Sequence, residues 1–449
     1  RDYYASRGLG DVYKRQVMEK LNFSQEISDE HLKGVIQEEI MKISEEYPLL
    51  LSDKIRLNQE VFYALRRLDI LQDLLEDDSV TEIMINGYDN IFIERSGRVY
   101  KVDQTFENEE RLASIIQQIV AGCNRIVNEA VPIVDARLAD GSRVNVVLPP
   151  ISLNGPTMTI RKFPKEKMTM ERLIEVGALS EDAAEFLKRL VKARYNIFVS
   201  GGTGAGKTTF LNALSDYIPQ QERVITIEDS AELQLKNVVN LVRLESRNSN
   251  VEGTNAVTIR ELIKSSLRMR PDRVIVGEVR DAAAIDMLAA MNTGHDGSLS
   301  TGHANSSGDM ITRLESMVLM GMELPLEAVR RQIASAVDVI IHLGRLRDGS
   351  RKVLEIAEVT GMREGLVELH TIYEFEEMVA GEEQEVTDMV YAAAGTLSEQ
   401  NVTDGFQLQK VTGRLRARAE LLHQEKFLRA GIAYKSVLCA EVRSEGAGV

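Results

Sequence analysis

The stretch Tyr195–Leu214, YNIFVSGGTGAGKTTFLNAL, decides the fold. NIFVS is a near-continuous apolar run, as in a strand covered on both faces. A glycine-rich turn follows, and then a helix that opens in threonines. Gly201, Gly202, Thr203, Gly204, Ala205, Gly206, Lys207 and Thr208 fit G-x-x-x-x-G-K-[ST], with Thr209 next in line. At ordinary glycine usage a chain of this length shows that pattern by chance on the order of once in a hundred. Here a strand precedes it and a helix follows, as the pattern requires. The glycines let backbone N–H groups turn inward onto phosphate oxygens, which a Cβ would obstruct. The helix starting near Lys207 adds the positive end of its dipole. Lys207 is placed to reach the β- and γ-phosphates, and Thr208 offers a hydroxyl to Mg²⁺. The stretch reads as a nucleoside triphosphate site.

Around it, strands alternate with helices over residues 180–376. RVITIED, DRVIVGEV, GSLSTGH and DVIIHLG are apolar runs like NIFVS, with helices such as TIRELIKSSLRMR and AAIDMLAAMN between them. That alternation predicts an α/β domain with a doubly wound, mostly parallel sheet. Ligands of such sheets bind at the carboxyl ends of the strands. The strand ends therefore nominate the chemistry. Glu278 follows DRVIVG, and an acid there can hold the magnesium shell or polarise the attacking water. Glu228, Asp229 and Glu232 cluster past the end of ITIE. A single strand-end acid is usually just solvated, but two such strands in order after the phosphate loop favour function. His303 lies directly beyond GSLSTG and is placed to sense phosphate. His295, in NTGH, reads either as functional or as a cap on the preceding helix.

Arginines gather near these segments. Arg243 and Arg247 follow the acidic cluster, while Arg268, Arg270 and Arg280 surround the strand of Glu278. Arg137 and Arg143 flank a turn in DARLADGSRVN, and Arg161 sits in TIRKF. A guanidinium fork suits a γ-phosphate, although ordinary ion pairs would use any one of these arginines equally well. Met310, Met317, Met320 and Met322 read as flexible core or interface filler.

Upstream, apolar residues at Leu32, Val35, Ile36, Ile40 and Ile43 repeat at helical spacing, so 18–78 reads as a short helical lead-in. From 79 to 164 the pattern changes to short β-branched runs punctuated by Asn-Gly, Ser-Gly and Asp-Gly turns. With a helix over Glu109–Cys123, this predicts an α+β N-terminal domain. Residues 165–179 read as a linker, and 377–449 as a variable C-terminal tail. Residues 1–17 fit nothing that follows and read as non-native or disordered.

The 449 residues, 44% hydrophobic and 27% charged, fit a globular protein of two or three domains. The net charge of −15 lowers the expectation of nucleic-acid binding, which favours a basic face. Two cysteines, Cys123 and Cys439, lie far apart without metal spacing and read as reduced thiols. No partners at ligand spacing support a transition-metal site. No apolar run approaches the roughly 20 residues that cross a bilayer, so a cytoplasmic location is expected, with docking on a membrane complex.

The order GGTGAGKTT, ITIEDSAELQL, LRMRPDRVIVGEVRD and AMNTGHDGSLSTGHANS resembles the Walker A, Asp box, Walker B and His box of the secretion ATPase superfamily. VTEIMINGYDNIFIER, VPIVDARLADGSRVNVVLPP and TIRKF look more specifically like the CpaF-type ATPases of Tad/Flp pilus assembly, relatives of type II and type IV secretion. The resemblance covers Asn22–Glu376. It implies a RecA-like P-loop domain that binds ATP and Mg²⁺, with Lys207 and Thr208 on phosphate and magnesium and Glu278 as the Walker B acid, also on the metal. Glu232 would orient or deprotonate water, supported by Glu228 and Asp229, and His303 would report on phosphate. Arg137, Arg143 and Arg161 match arginines that the family's N-terminal domain offers near the nucleotide. Members form homohexameric rings with two domains hinged across a linker, here near Lys165–Ala178, and act on an inner-membrane platform protein. The expected function is a motor for pilus assembly or secretion. Its rivals are a nucleic-acid translocase and a non-catalytic nucleotide-gated scaffold. Gly302 departs from the pattern, which has a bulkier residue such as Val there, and a looser His box is expected. The segment before the final TG is longer than usual.

Overall fold

The computed structural model describes residues 29–46, 54–55, 58, 62, 68–95, 97–163, 167–247, 256–377, 400–401 and 411–438. The readings of residues 1–17 and of Cys439 lie outside them. The chain divides into two compact units with a boundary at Lys165/Glu166, and 400–401 belong with the first.

In the first unit, helices α1 (Asp29–Glu46) and α2 (Ile70–Glu76) precede an antiparallel sheet. Its strands are β1 (Val80–Asn86), β2 (Ile91–Arg95), β3 (Arg98–Lys101), β4 (Ile133–Arg137), β5 (Arg143–Val147) and β6 (Thr157–Arg161), in the order β3-β2-β1-β6-β5-β4. Between β3 and β4 runs α3 (Glu109–Gly122), started by the Asn108 side chain accepting from the Arg111 N–H. Leu112, Ile115, Ile116, Ile119 and Val120 form one helical stripe. That stripe is buried in the core that holds Ile83, Ile85, Ile91, Ile93, Val144, Val146 and Ile160 from the strands.

The second unit begins with α4 (Met170–Glu175) and α5 (Glu181–Lys192). It continues through β7 (Ile197–Gly201), α6 (Lys207–Ser215), β8 (Arg223–Glu228), β9 (Asn240–Glu245), α7 (Ile259–Ser266), β10 (Arg273–Val276), α8 (Ala283–Asn292), β11 (Leu299–Gly302), α9 (Ser307–Gly321), α10 (Leu326–Ala336), β12 (Val339–Arg345), β13 (Arg351–Arg363) and β14 (Leu366–Glu377). After β15 (Gln400–Asn401), which extends the first unit's sheet beside β3, come β16 (Gly413–Ala417) and α11 (Glu425–Arg429). The sheet order is β16-β14-β13-β12-β7-β11-β10-β8-β9. The pairings from β12 to β9 are parallel, and those among β12, β13, β14 and β16 are antiparallel. The mostly parallel α/β architecture expected from the sequence is present, with an antiparallel extension that the sequence reading did not contain.

β7 is fully buried. Ile197 and Val199 join one core with α5 and α6, whereas Phe198 joins the opposite core with α8, α9 and α10. That two-sided burial explains why the run lacks polar alternation. At its amino end the Asn196 amide fixes three strands at once. Its oxygen accepts from the N–H groups of Gly297 (2.8 Å) and Ser298 (3.2 Å) ahead of β11, and its nitrogen donates to the Ala336 carbonyl (2.7 Å) ahead of β12.

Two boundaries need correction. Residues 167–179, read as linker, belong to the second unit: Met170, Leu173, Ala178 and Leu179 are buried in its core. Within the segment read as a tail, 411–438 is equally integral. β16 pairs with β14, and Leu415, Ala417, Leu421, Phe427 and Val437 enter the same core. Phe427 packs on Tyr195 and Tyr434 with ring centroids 5.3 and 5.6 Å apart, and the Tyr195 hydroxyl donates to the His423 carbonyl at 2.7 Å. Phe427→Ala should therefore destabilise the second unit by about 3–5 kcal/mol, read as a lowered midpoint in chemical denaturation. An unchanged midpoint would mean that 411–438 is a detachable tail.

Candidate active site

β7 ends at Gly201, where the Leu343 carbonyl of β12 comes so close that a Cβ would lie 2.5 Å from it. The loop then turns through Gly204 and Gly206, whose φ values of +71° and +91° lie in the left-handed region. Gly206 is the N-cap of α6. Gly204 and Gly206 thus hold, at the N-terminus of α6, backbone conformations that a side chain would strain. A phosphate chain suits such a cradle.

Lys207, only 7% exposed, tucks its ammonium under this loop. Its Nζ donates to the carbonyls of Gly201 (3.1 Å) and Gly202 (3.0 Å) and lies 3.2 Å from His303 Nδ1. His303 Nε2 lies 2.9 Å from Glu278 Oε1, and Glu278 Oε2 accepts from Arg280 Nη2 at 2.9 Å. Cation, imidazole, carboxylate and guanidinium thus form one line of contacts across the ends of β7, β11 and β10. Burial raises the Glu278 carboxyl, but Arg280, His303 and Lys207 together outweigh it and hold the group below the usual carboxylate range. Desolvation lowers the His303 imidazole. Lys207 and Arg280 push it the same way, against the opposing pull of Glu278. Desolvation and the cations thus bias the imidazole toward its neutral form.

The acidic cluster beyond β8 separates into distinct environments. Glu228 is 3% exposed, and its Oε1 accepts the N–H groups of Glu232 (2.8 Å) and Leu233 (2.9 Å). Its Oε2 is buried with no hydrogen-bond partner among the described residues. Burial raises its pKa, and those two N–H bonds only partly offset the shift. Glu228 thus shapes the turn that carries Glu232, where the resemblance had given Glu228 a part in supporting Glu232 on water. Asp229 is exposed, accepts from Ser246 Oγ at 3.1 Å, and lies 3.8 Å from Arg280. Arg280 interacts electrostatically with both Asp229 and Glu232.

His295 places Nδ1 3.2 Å from the Ala290 carbonyl in the last turn of α8, which is the helix-capping reading. Met310 and Met317 are buried core residues, while Met320 and Met322 are exposed. The looser His box expected at Gly302 is not found. Phe198 and Met310 occupy the space that a Cβ would need, at 2.9 and 2.8 Å from it. In the first unit Arg137 lies directly opposite Arg143, and Arg143 opposite Arg161, so the three form one row across β4, β5 and β6. Cys123 is a free thiol that donates to the Arg137 carbonyl at 3.0 Å.

Sequence reasoning missed Arg345 and Arg351. Arg351 Nε donates to the Gly204 carbonyl at 2.8 Å, and Arg345 Nη1 lies 4.0 Å from where a Cβ on Gly204 would be. The signal was available: RLRDGSR carries a turn-forming Asp-Gly between charged strand ends.

No group of three or more His, Cys, Asp or Glu among the described residues could hold a metal by itself. Magnesium beside a triphosphate needs less, typically one or two protein oxygens and the phosphates. Thr208, in the first turn of α6, and Glu278 fit that demand. The phosphate cradle, buried lysine and strand-end carboxylates on a mostly parallel sheet define a P-loop ATPase. Over residues 65–424 the sequence matches the family described as Type II/IV secretion system protein, and the chain belongs to it. A putative conjugal transfer protein of Mycobacterium tuberculosis is 34% identical over 72% of this chain and 93% of its own length. The type IV secretion system protein VirB11 of Brucella suis is 33% identical over 65% of this chain and 88% of its own. The crystal structure of that organism's VirB11 ATPase in complex with sulphate aligns over 64% of this chain and 95% of the other, at 32% identity and a TM-score of 0.37.

The neutral histidine is measurable. The His303 imidazole should titrate below its ordinary value of about 6.5 in an NMR pH series. In Glu278→Gln, which removes the one neighbour raising it, the midpoint should fall further. A wild-type midpoint above the ordinary value would refute this electrostatic description.

Proposed function

We propose that this chain is the ATP-driven motor of a Tad/Flp-type pilus assembly or related secretion apparatus. It would act as a homohexameric ring at the cytoplasmic face of the membrane, against an inner-membrane platform protein. The observation that carries this reading is the continuous line Lys207–His303–Glu278–Arg280 at the mouth of the phosphate loop. A line of alternating partners that touches the loop lysine can register whether a terminal phosphate is in place. The sequence phrases of the first unit support the Tad/Flp branch, and the conjugal transfer and VirB11 relatives support secretion more broadly.

In this mechanism the loop amides and Lys207 bind the phosphates, while Thr208 and Glu278 would hold Mg²⁺, which would supply positive charge against the charge developing on the phosphates. Glu232 takes a proton from the attacking water as its oxygen bonds to the γ-phosphorus, the bond from that phosphorus to the β,γ-bridging oxygen breaks, and ADP and phosphate leave. Lys207 exchanges its Gly201 and Gly202 carbonyl partners for phosphate oxygens and regains them afterwards. His303 follows because it touches both Lys207 and Glu278. The row of Arg137, Arg143 and Arg161 is continued by Glu82, which stands opposite Arg161 on β1.

The net charge of −15 disfavours the nucleic-acid translocase. The scaffold reading must explain why Lys207, Glu232 and Glu278 are all retained. Phosphate release by the full chain is the test. Lys207→Ala should lose nucleotide binding. Glu278→Gln should keep binding but lose about 10²–10⁴-fold in turnover, the usual worth of a positioned acid or base. Undiminished turnover in Glu278→Gln would end the motor reading, and stimulation by single-stranded DNA would favour the translocase.

A further inference from the structure

Val339–Leu343 of β12 is a continuous run of buried residues, and one of them is a histidine. His342 is 6% exposed. It stands beside the buried Ser200 of β7, and Ser200 in turn stands beside Gly302 of β11. Ser200 Oγ lies 2.8 Å from His342 Nδ1. The same ring hydrogen-bonds the Asn305 backbone, in the turn between β11 and α9. One imidazole on β12 therefore joins the end of β7 to the segment that leaves β11.

Burial pushes this imidazole below its ordinary value. Glu355 opposite it on β13, Asp309 in the first turn of α9 and the Asn305 bond pull the other way and are outweighed. A backbone bond that favours the protonated ring is one in which the ring donates. Because Nδ1 faces Ser200, the donor is Nε2–H, and its acceptor is the Asn305 carbonyl. A neutral imidazole has a single N–H, so Nδ1 accepts from the Ser200 hydroxyl. Both nitrogens are thus used.

We propose that His342 is a positioning residue of the ATPase site, setting the distance at which the phosphate loop and His303 meet. Its two partners bracket that meeting. Ser200 is followed by Gly201, whose carbonyl accepts from Lys207 Nζ at 3.1 Å. Asn305 lies two residues beyond His303, whose Nδ1 is 3.2 Å from the same Nζ. The β7–β11 ladder ends at the pair Ser200–Gly302, so strand pairing does not extend to His303 or Asn305. His342 supplies a tie beyond that end. Packing alone does not call for an imidazole, since Ile340 and Ile341 fill the neighbouring positions of the same strand. A buried polar ring is costly unless its nitrogens are bonded.

The inference rests on the chain being an ATPase, and wild-type protein that releases no phosphate from ATP would overturn that reading and this one with it. Given an active wild type, phosphate release by the full chain would be compared in His342→Leu, Ser200→Ala and His303→Ala, singly and combined. His342→Leu should lower kcat by about tenfold to a hundredfold, since a misplacement of roughly 1 Å can cost that much. Calorimetric affinity for Mg-ADP should stay at the wild-type value, because a diphosphate lacks the group that Lys207 and His303 meet around. In the His303→Ala background, His342→Leu should cost nothing further, as expected for residues that act as a unit. Ser200→Ala removes one hydroxyl and keeps the ring. It should lower kcat in the same direction and be silent in the same background, and it decides the matter if His342→Leu does not fold. His342→Gln, whose amide can still donate to Asn305, should recover part of the loss. Wild-type kcat in folded His342→Leu, even with a lowered denaturation midpoint, would reduce His342 to core packing and overturn the proposal. Losses that multiply in the double variant would overturn it too, and so would an ADP affinity that falls in step with kcat.

Discussion

The structure of the second unit depends on the parallel pairing of β7 with β11 on one side and β12 on the other. Peptide hydrogen bonds run along both flanks of β7, so its carboxyl end is fixed relative to both neighbours. The phosphate loop emerges from β7, His303 from β11, and the Arg345–Arg351 hairpin from β12. Each chemical part is thus one or two residues from a strand held on both sides. The Asn196 amide secures the same three strands at their other ends. A buried amide that uses both its oxygen and its nitrogen tolerates little displacement, since an orphaned partner costs about 1–3 kcal/mol.

On that rigid base the electrostatics are arranged to be responsive. Lys207 is nearly buried, and a buried ammonium is costly unless its donors are used. Two loop carbonyls and a neutral histidine satisfy it at the strength of ordinary hydrogen bonds. A phosphate oxygen, fully charged, competes favourably with those partners. The carboxylate that might have trapped the lysine, Glu278, is instead shared between His303 and Arg280. A direct Lys207–Glu278 pair would have locked the loop lysine in place. The interposed imidazole keeps the two in communication without that lock.

The fold class and the principal site were legible in the sequence because both rest on local, periodic constraints. NIFVS, ITIE, RVIV and LSTG are strands buried on both faces, and they announce themselves by continuous hydrophobicity. The helix predicted over Glu109–Cys123 is observed as Glu109–Gly122, since its stripe and its Asn108 cap are both local features. What escaped notice was the edge of the sheet. β9 carries Asn240, Arg243 and Glu245 on an exposed margin, and β13 and β14 mix charged residues with apolar ones along much of their length. Partly solvated strands of that kind lack a strong signal in a single sequence. The packing of 411–438 was illegible for a related reason. Phe427 and Leu421 have partners hundreds of residues away in the chain, at Tyr195 and beyond, and no local period records them. Glu228 and Glu232 look alike in EDSAEL, and only burial distinguishes the acid that folds the turn from the acid presented by it.

One device recurs on both units. Arg137, Arg143 and Arg161 stand opposite one another across β4–β6, and Arg345 stands opposite Arg351 across β12–β13. Like charges directly opposite on a strand pair are disfavoured, and nothing in strand propensity recommends arginine there. Sheets that need only solubility alternate signs or use lysine at edges. In the first unit the row does not end on like charge, because Arg161 stands opposite Glu82 of β1, which it draws toward its ionised form. In both units the antiparallel ladder sets which of these side chains stand side by side. The same parallel core that positions the phosphate loop therefore also anchors, through β12, the strand pair that brings two of these arginines to its lip.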